Sequence, residues 1–372
     1  MEDTYKGESP SKKYARYMCW LSIAEDFDTE KFRSGKHLVL ASREGGDIST
    51  LLGMGVHPKS IIAVEHSASA AHAAQEKYPQ VRVVCRDVVK MAQECKRTLS
   101  SAYLDFCGTA TAATITRIRQ VVLHGLKDDA YLAVTVLSGR EQGELREEIL
   151  AHKAKPFLRR RFHDLSNKTL VTETISGIRE SHPHCEVQLY RERLLAALAD
   201  DDLLDVEGER IRAAQAKLYS DHSPPLVRMH YLREKLVVAL SPHRVALHPI
   251  ATLHYNSNTD GSNGVPMVVV VFKTRRFLRS MPPDKFTAYF NRFIRDTGST
   301  RVLGCNMTDQ SLRGVVLNLA QLIDDGVAAG TTVHSGISSA EIVAQMFNLR
   351  KETIIAWKAH RTRGTYGQES QC

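Results

Sequence analysis

Four short stretches carry side chains whose chemistry suits one small ligand. The first is Ser42-Arg43-Glu44-Gly45-Gly46-Asp47. Its two glycines let the backbone run close to a ligand with no Cβ in the way. A helix opening just behind them offers unpaired N–H groups. The second is Glu65, closing the run IIAVE. An acidic residue about 20 positions beyond such a turn accepts both hydroxyls of a ribose. The third is Asp87, just after VRVVC, suited to accept from an adenine amino group. The fourth is Asp105-Phe106-Cys107-Gly108, which combines an acceptor, an aromatic face and a thiol. Cys107 reads first as a small core residue. Its other reading is a thiolate nucleophile attacking a pyrimidine ring.

To act together, these stretches must sit at the ends of neighbouring strands. The pattern over 37–137 alternates strand and helix. Strands read at 37–41, 60–65, 81–85, 101–106 and 130–137, and helices at about 47–54, 67–77, 88–98 and 109–125. Val/Ile-rich strands alternating with helices imply a parallel sheet covered on both faces. Ligands collect at the carboxyl ends of such strands. Extended runs return at 244–256 and 266–272, joined by the Gly/Asn-rich turn 257–264, which predicts an antiparallel hairpin. Ahead of the sheet, 12–24 reads as a helix packed on the domain edge, with Tyr14, Tyr17, Met18 and Leu21 on one side and Lys12, Lys13 and Arg16 able to touch phosphate.

Together these features resemble the class I, Rossmann-like methyltransferases that use S-adenosylmethionine. The resemblance covers 37–137 and the hairpin at 244–273. It implies an α/β fold, a parallel sheet closed by an antiparallel hairpin in the order 3-2-1-4-5-7-6. It implies S-adenosylmethionine as cofactor, held by Ser42, Arg43 and Gly45 at its methionine end, Glu65 at the ribose and Asp87 at the adenine. Asp105 and Phe106 then face the reacting group, as acceptor and stacking surface. Three departures stand out. Ala41 occupies the place of the family's acidic residue and Arg43 that of a glycine. The stretch Asp105-Phe106-Cys107-Gly108 lacks the prolines of the amine-methylating motif it resembles.

The second informative stretch is 337–361. Ser338 and Glu341 form a capping box, Ile337 and Ile342 a hydrophobic staple, and Asn348 suits a left-handed turn. A second helix beginning near Arg350 carries Lys351, Lys358 and Arg361, with Arg363 in the tail. The stretch resembles a helix-turn-helix of the resolvase or sigma-factor type, which presents a basic helix to a major groove. With the basic knot Arg159-Arg160-Arg161, these residues are candidates for nucleic-acid contact, DNA before RNA. A methyltransferase-like sheet joined to such a unit resembles phage or mobile-element proteins.

The expected organisation is an N-terminal helical extension (1–36), the sheet core (37–153), a helical insertion (154–236), the closing hairpin (237–276) and a helical C-terminal region (277–372). The 372 residues suffice for a large core. A net charge of +8 and a pI of about 9.1 favour a polyanionic partner. The longest apolar run near a strand, Met267 to Phe272, is too short to cross a bilayer, so no membrane partner is expected. The polar N-terminus lacks an apolar signal region. Seven scattered cysteines without a CxxC pair fit reduced thiols in the cytoplasm. His182, His184 and Cys185 match no zinc spacing and read as a surface loop, so no metal is expected. Nothing in the composition speaks against a homo-oligomer. Two further readings are a methyltransferase-like fold that binds nucleic acid without catalysis, and a nucleotide- or NAD-binding oxidoreductase. The terminal hairpin argues against the second of these.

Overall fold

The computed structural model describes residues 8–106, 108–137, 225–257, 264–278, 280–282, 285, 289, 301–305, 307–328 and 337–366. Cys107, Arg159–Arg161, His182, His184, Cys185 and most of the expected insertion lie outside them.

The first half alternates as its residue pattern dictates. Helix α1 (Pro10–Asp26) opens with Ser9 as N-cap, its side chain accepting from the Lys12 N–H, and Pro10 in the first turn. After a short helix α2 (Thr29–Ser34) come β1 (Lys36–Leu40), α3 (Gly46–Gly53), β2 (Ile61–Glu65), α4 (Ala68–Lys77) and β3 (Arg82–Cys85). Then follow α5 (Val88–Cys95), β4 (Leu99–Asp105), α6 (Ala112–His124) and β5 (Leu126–Leu137). Ser67, Asp87 and Thr111 cap α4, α5 and α6, so these three strand-to-helix turns end on a residue whose side chain satisfies N–H groups of the new helix. Helix α7 (Pro225–Leu240) leads into β6 (Val245–Asn256) and β7 (Pro266–Arg276), and β8 (Arg301–Gly304) precedes α8 (Asp309–Ala328), α9 (Ser339–Met346) and α10 (Lys351–Tyr366).

One sheet of eight strands runs in the order β3-β2-β1-β4-β5-β7-β6-β8. β1 to β5 are mutually parallel, and β7 lies antiparallel between β5 and β6. This is the expected order with one strand added. β8 pairs parallel with β6 through Ala251↔Arg301 to His254↔Gly304. Four residues are too few to show a strand period, and the sequence there reads as basic and helical.

Each face of the sheet carries its own core. On one, Val88, Met91, Ile118 and Val121 pack with Leu232, Leu236 and Phe272. On the other, Trp20, Ile23, Phe32 and Ile48 pack with Val39, Ala63, Tyr103 and Val269. His37 is buried in that second layer with both ring nitrogens bonded, Nδ1 to Ser101 Oγ and Nε2 to Phe32 O, each at 2.7 Å. Burial pushes its pKa down to about 4, so the ring is neutral.

Helix α1 does not lie at an edge. Its Ala15, Cys19, Trp20 and Ile23 face the sheet, while Tyr17, flanked by Tyr14, Met18 and Leu21, faces a third core built by α8, α9 and α10. A helix apolar on both sides is one held between two layers. The C-terminal helices dock on α3 as well. Ser49 Oγ donates to Gln345 O at 2.7 Å and Thr50 Oγ1 to Met346 O at 2.8 Å, so two hydroxyls of α3 satisfy carbonyls at the end of α9.

Candidate active site

The strand order reverses direction between β1 and β4, and the carboxyl ends of β1 to β4 form one edge. In open α/β sheets this is where a crevice opens. The sheet brings Ser42–Gly46, Glu65, Asp87 and Asp105 to that edge. Glu65 is mostly buried, its Oε1 accepting from the Ser67 N–H at 3.0 Å and lying 2.9 Å from His66 Nδ1. Asp87 is already employed: Oδ1 accepts from the Val89 N–H at 2.8 Å and Oδ2 lies 2.8 Å from Arg117 Nη2. The Arg117 guanidinium also sits 5.3 Å over the Phe106 ring. One arginine thus ties the third strand end to the fourth. Asp105 pairs with Lys12 Nζ of α1 at 3.0 Å, at 11% side-chain exposure.

The turn after β1 is closely packed on one side. Gly45 has φ +59°, the left-handed conformation glycine adopts without strain. A Cβ there would lie 2.4 Å from the Tyr78 ring, and one on Gly46 would lie 2.2 Å from the Arg16 guanidinium. The Cβ side of Gly45 thus faces Tyr78 and that of Gly46 faces Arg16. The closely packed guanidinium comes from α1, whereas Arg43 is exposed and Ser42 half-buried.

Arg16 is the hub of a buried ionic group. Its Nη1 donates to Glu8 Oε2 at 2.7 Å, its Nη2 donates to Glu8 Oε1, and its Nε lies 3.4 Å from Asp47 Oδ2. Trp20 Nε1 donates to Asp47 Oδ1 at 3.0 Å. Burial alone would raise the Glu8 carboxyl, but the Arg16 charge and hydrogen bonds pull its pKa down to about 2. Asp47 has only the looser contact. For it burial dominates, and its pKa is pushed up to about 6 against Arg16 and Trp20. One guanidinium serves two buried carboxylates and favours the one it grips with both forks.

A pH dependence follows. Asp47 has a folded pKa above its ordinary 3.8, so ionising it costs the folded state. Below the unfolded value there is no penalty; it grows as pH rises through the folded value and then levels. Asp47→Asn cannot ionise. Its unfolding free energy should therefore gain on the wild type by about 2–3 kcal/mol between pH 4 and pH 6. Urea melts of both proteins at several pH values test this, and a difference that stays constant across the window would refute the assignment.

The expected contact residues of the C-terminal helices lie as follows. Lys351 Nζ lies 2.9 Å from Glu341 Oε2, and Lys358 Nζ is 2.6 Å from Asp324 Oδ2 and 2.8 Å from Ser339 Oγ. Both lysines thus tie α10 to its own bundle. Arg350 is exposed, as are Glu352, Ile355, Ala356 and Ala359 on α10. The side chains of Arg361 and Arg363 lie outside the described residues. Asn348 takes the left-handed conformation, φ +50°. Ser338 caps α9, while Glu341 turns to Lys351 and Ile337 stays 48% exposed. Among the described residues no group of three His, Cys, Asp or Glu side chains is placed to hold a metal ion, and no helix is long and apolar enough to cross a membrane.

Sequence reasoning missed Glu8 and Trp20, named Asp47 only as the end of the first turn, and gave Arg16 only a passing phosphate contact. The available signal was position: Arg16 sits one residue from Ala15 and four from Trp20, within the buried stripe of α1.

No protein-family model matches the sequence, and no curated protein matches it. Solved structures similar to it include three methyltransferases. The plantazolicin methyltransferase BamL with SAH is 11% identical over 71% of this chain and 85% of its own, with a TM-score of 0.36. Trm1 from Pyrococcus horikoshii with S-adenosyl-L-methionine is 9% identical over 74% and 58%, with a TM-score of 0.37. The 1,6-didemethyltoxoflavin-N1-methyltransferase of Burkholderia thailandensis is 12% identical over 71% and 80%, with a TM-score of 0.36. Likeness this remote does not bear on what the chain binds.

Proposed function

We propose that this chain, with its Rossmann-like sheet of class I methyltransferase order, transfers a methyl group from S-adenosylmethionine to a nucleic acid. The observation that carries the reading is the meeting of Glu65, Asp87 and Asp105 at the carboxyl ends of β2, β3 and β4, beside the point where strand order reverses. The cofactor, when bound, supplies an electrophilic methyl group on a sulfonium. Glu65 accepts from the ribose hydroxyls. The turn Ser42-Arg43-Gly45 lies at the methionine end, and Asp87, steadied by Arg117, borders the adenine. Asp105 would accept a hydrogen bond from, and then the proton of, the attacking atom, the methyl–sulfur bond breaking to leave the cofactor as its thioether, and Phe106 would offer a face to the acceptor ring. A polyanionic acceptor is supported by the net charge of +8; Arg350 is its exposed candidate contact on the C-terminal unit, and Arg159–Arg161, Arg361 and Arg363 are candidates by sequence.

Calorimetry with S-adenosylmethionine tests the reading. The wild type should bind, and Glu65→Ala should bind at least about tenfold more weakly. One observation favours a second reading: Arg16 and Tyr78 occupy the Cβ side of both glycines in the first turn. A binding protein of this fold without catalysis would give no heat with the cofactor, yet would still retard nucleic acid in a gel, steeply less so in salt. No heat and no retardation would end both readings.

A further inference from the structure

The opposite edge of the sheet holds a second cluster of cations. Arg97 precedes β4, Arg119, Gln120, Leu123 and His124 close α6, His243 lies in the turn before β6, and Arg276 ends β7. Together they line a concavity of about 340 Å³. That is the lower end of the range for small-molecule sites. The lining has three guanidiniums. Asp128 pairs with Arg97, and its Oδ1 lies 3.5 Å from Arg276 Nε. Arg276 Nη2 also donates to the Val122 and Leu123 carbonyls at 3.3 and 3.2 Å, covering the negative end of the α6 dipole. His124 Nε2 and Gln120 Oε1 are 2.9 Å apart. Arg119 adds a donor to this lining. Its Nε is buried and has no hydrogen-bond partner among the described residues. A buried donor left unmet is costly and marks a place where a partner belongs.

We propose that this concavity binds the phosphate of a small phosphate monoester. Guanidiniums dominate the described lining, and that favours an anion. Guanidinium forks pair with phosphate oxygens in two-point fashion. The apolar body of Leu123 and the arginine stems suit a small organic group beside the phosphate. A duplex backbone, convex and continuous, does not enter such a recess.

The test is calorimetry on the full chain without methyl donor, using inorganic phosphate, a nucleoside 5′-monophosphate and the parent nucleoside. The monophosphate should bind and the nucleoside should not. Arg119→Gln should weaken binding at least about tenfold and Arg119→Lys less so, because lysine keeps the charge but loses the fork. Should Arg119→Gln fail to fold, protection of Arg119 from phenylglyoxal by the monophosphate in the wild type, mapped by mass spectrometry, gives the same answer. Inorganic phosphate binding as tightly as the nucleotide identifies free phosphate as the occupant; tighter nucleotide binding identifies an organic monoester. Silence with both phosphates at millimolar concentration, or wild-type affinity in both variants, overturns the proposal. No methyl donor takes part, so the outcome is separable from that of the cofactor titration.

Discussion

Replacing Arg16 by Ala is expected to lower stability by about 3–5 kcal/mol. The guanidinium is the shared counter-charge of Glu8 and Asp47, both buried. Removing it strands two carboxylates, and the Glu8 carboxyl, now held at about 2, would return upward and take a proton near neutrality or leave its pocket. Arg16→Lys is the informative companion. An ammonium supplies charge but cannot donate to both Glu8 oxygens while remaining near Asp47, so the loss should be partial, about 1–2 kcal/mol. Trp20 reports the event because its indole N–H is bonded to Asp47. Denaturation followed by tryptophan fluorescence in a Trp357→Phe background would measure both variants. A loss under about 1 kcal/mol for Arg16→Ala would mean that the ionic group is solvated in the folded chain and contributes as surface pairs do.

The second large effect is expected at Gly53. Glycine to alanine near a helix end ordinarily gains stability through the unfolded chain. Here the sign reverses. A Cβ on Gly53 would lie 2.5 Å from Met346 N and 3.0 Å from Gln345 C, both backbone atoms that cannot swivel aside. The adjoining bonds from Ser49 and Thr50 to the end of α9 hold that approach. Gly53→Ala should therefore cost about 2–4 kcal/mol and act first on the docking of α9. Hydrogen exchange checks this: amides of α9 should lose protection while those of β4 and β5 keep theirs. Equal loss across all of them would place the damage in the sheet instead.

The strands of the central sheet were legible because apolar runs such as Leu38–Leu40 and Ile61–Val64 are buried on both faces and bounded by turns and caps. The hairpin of β6 and β7 was legible for the same reason, with a polar turn between two long runs. The four-residue β8 and the six-residue α2 are too short to express a period. Helix α1 shows a deeper limit. The stripe of Tyr14, Tyr17, Met18 and Leu21 is visible in the sequence, but so is that of Ala15, Cys19, Trp20 and Ile23, and periodicity alone does not say that both are covered. A charged residue inside such a stripe is assigned to solvent by pattern and to the interior only by its partners. The partners of Arg16 are 8 and 31 positions away, in a different element and an extended segment. Lys351 and Lys358 show the same limit: their residue type reads as basic surface, and their pairing with acids on neighbouring helices is not visible in the pattern. At the strand ends, residue type was readable and position was correct, but the prior engagement of Asp87 with Arg117 and of Asp105 with Lys12 was not.

The bonds from Ser49 and Thr50 to Gln345 and Met346 join residues 296 positions apart. A ribosome adding about 5–20 residues per second needs roughly 15–60 s to cover that distance. Through that interval the first crossover helix has emerged while the carbonyls its hydroxyls will meet have not been made. The nascent chain therefore carries its opening strand–helix unit under α1 alone, and a chain interrupted before residue 345 lacks the contact of α9 with α3.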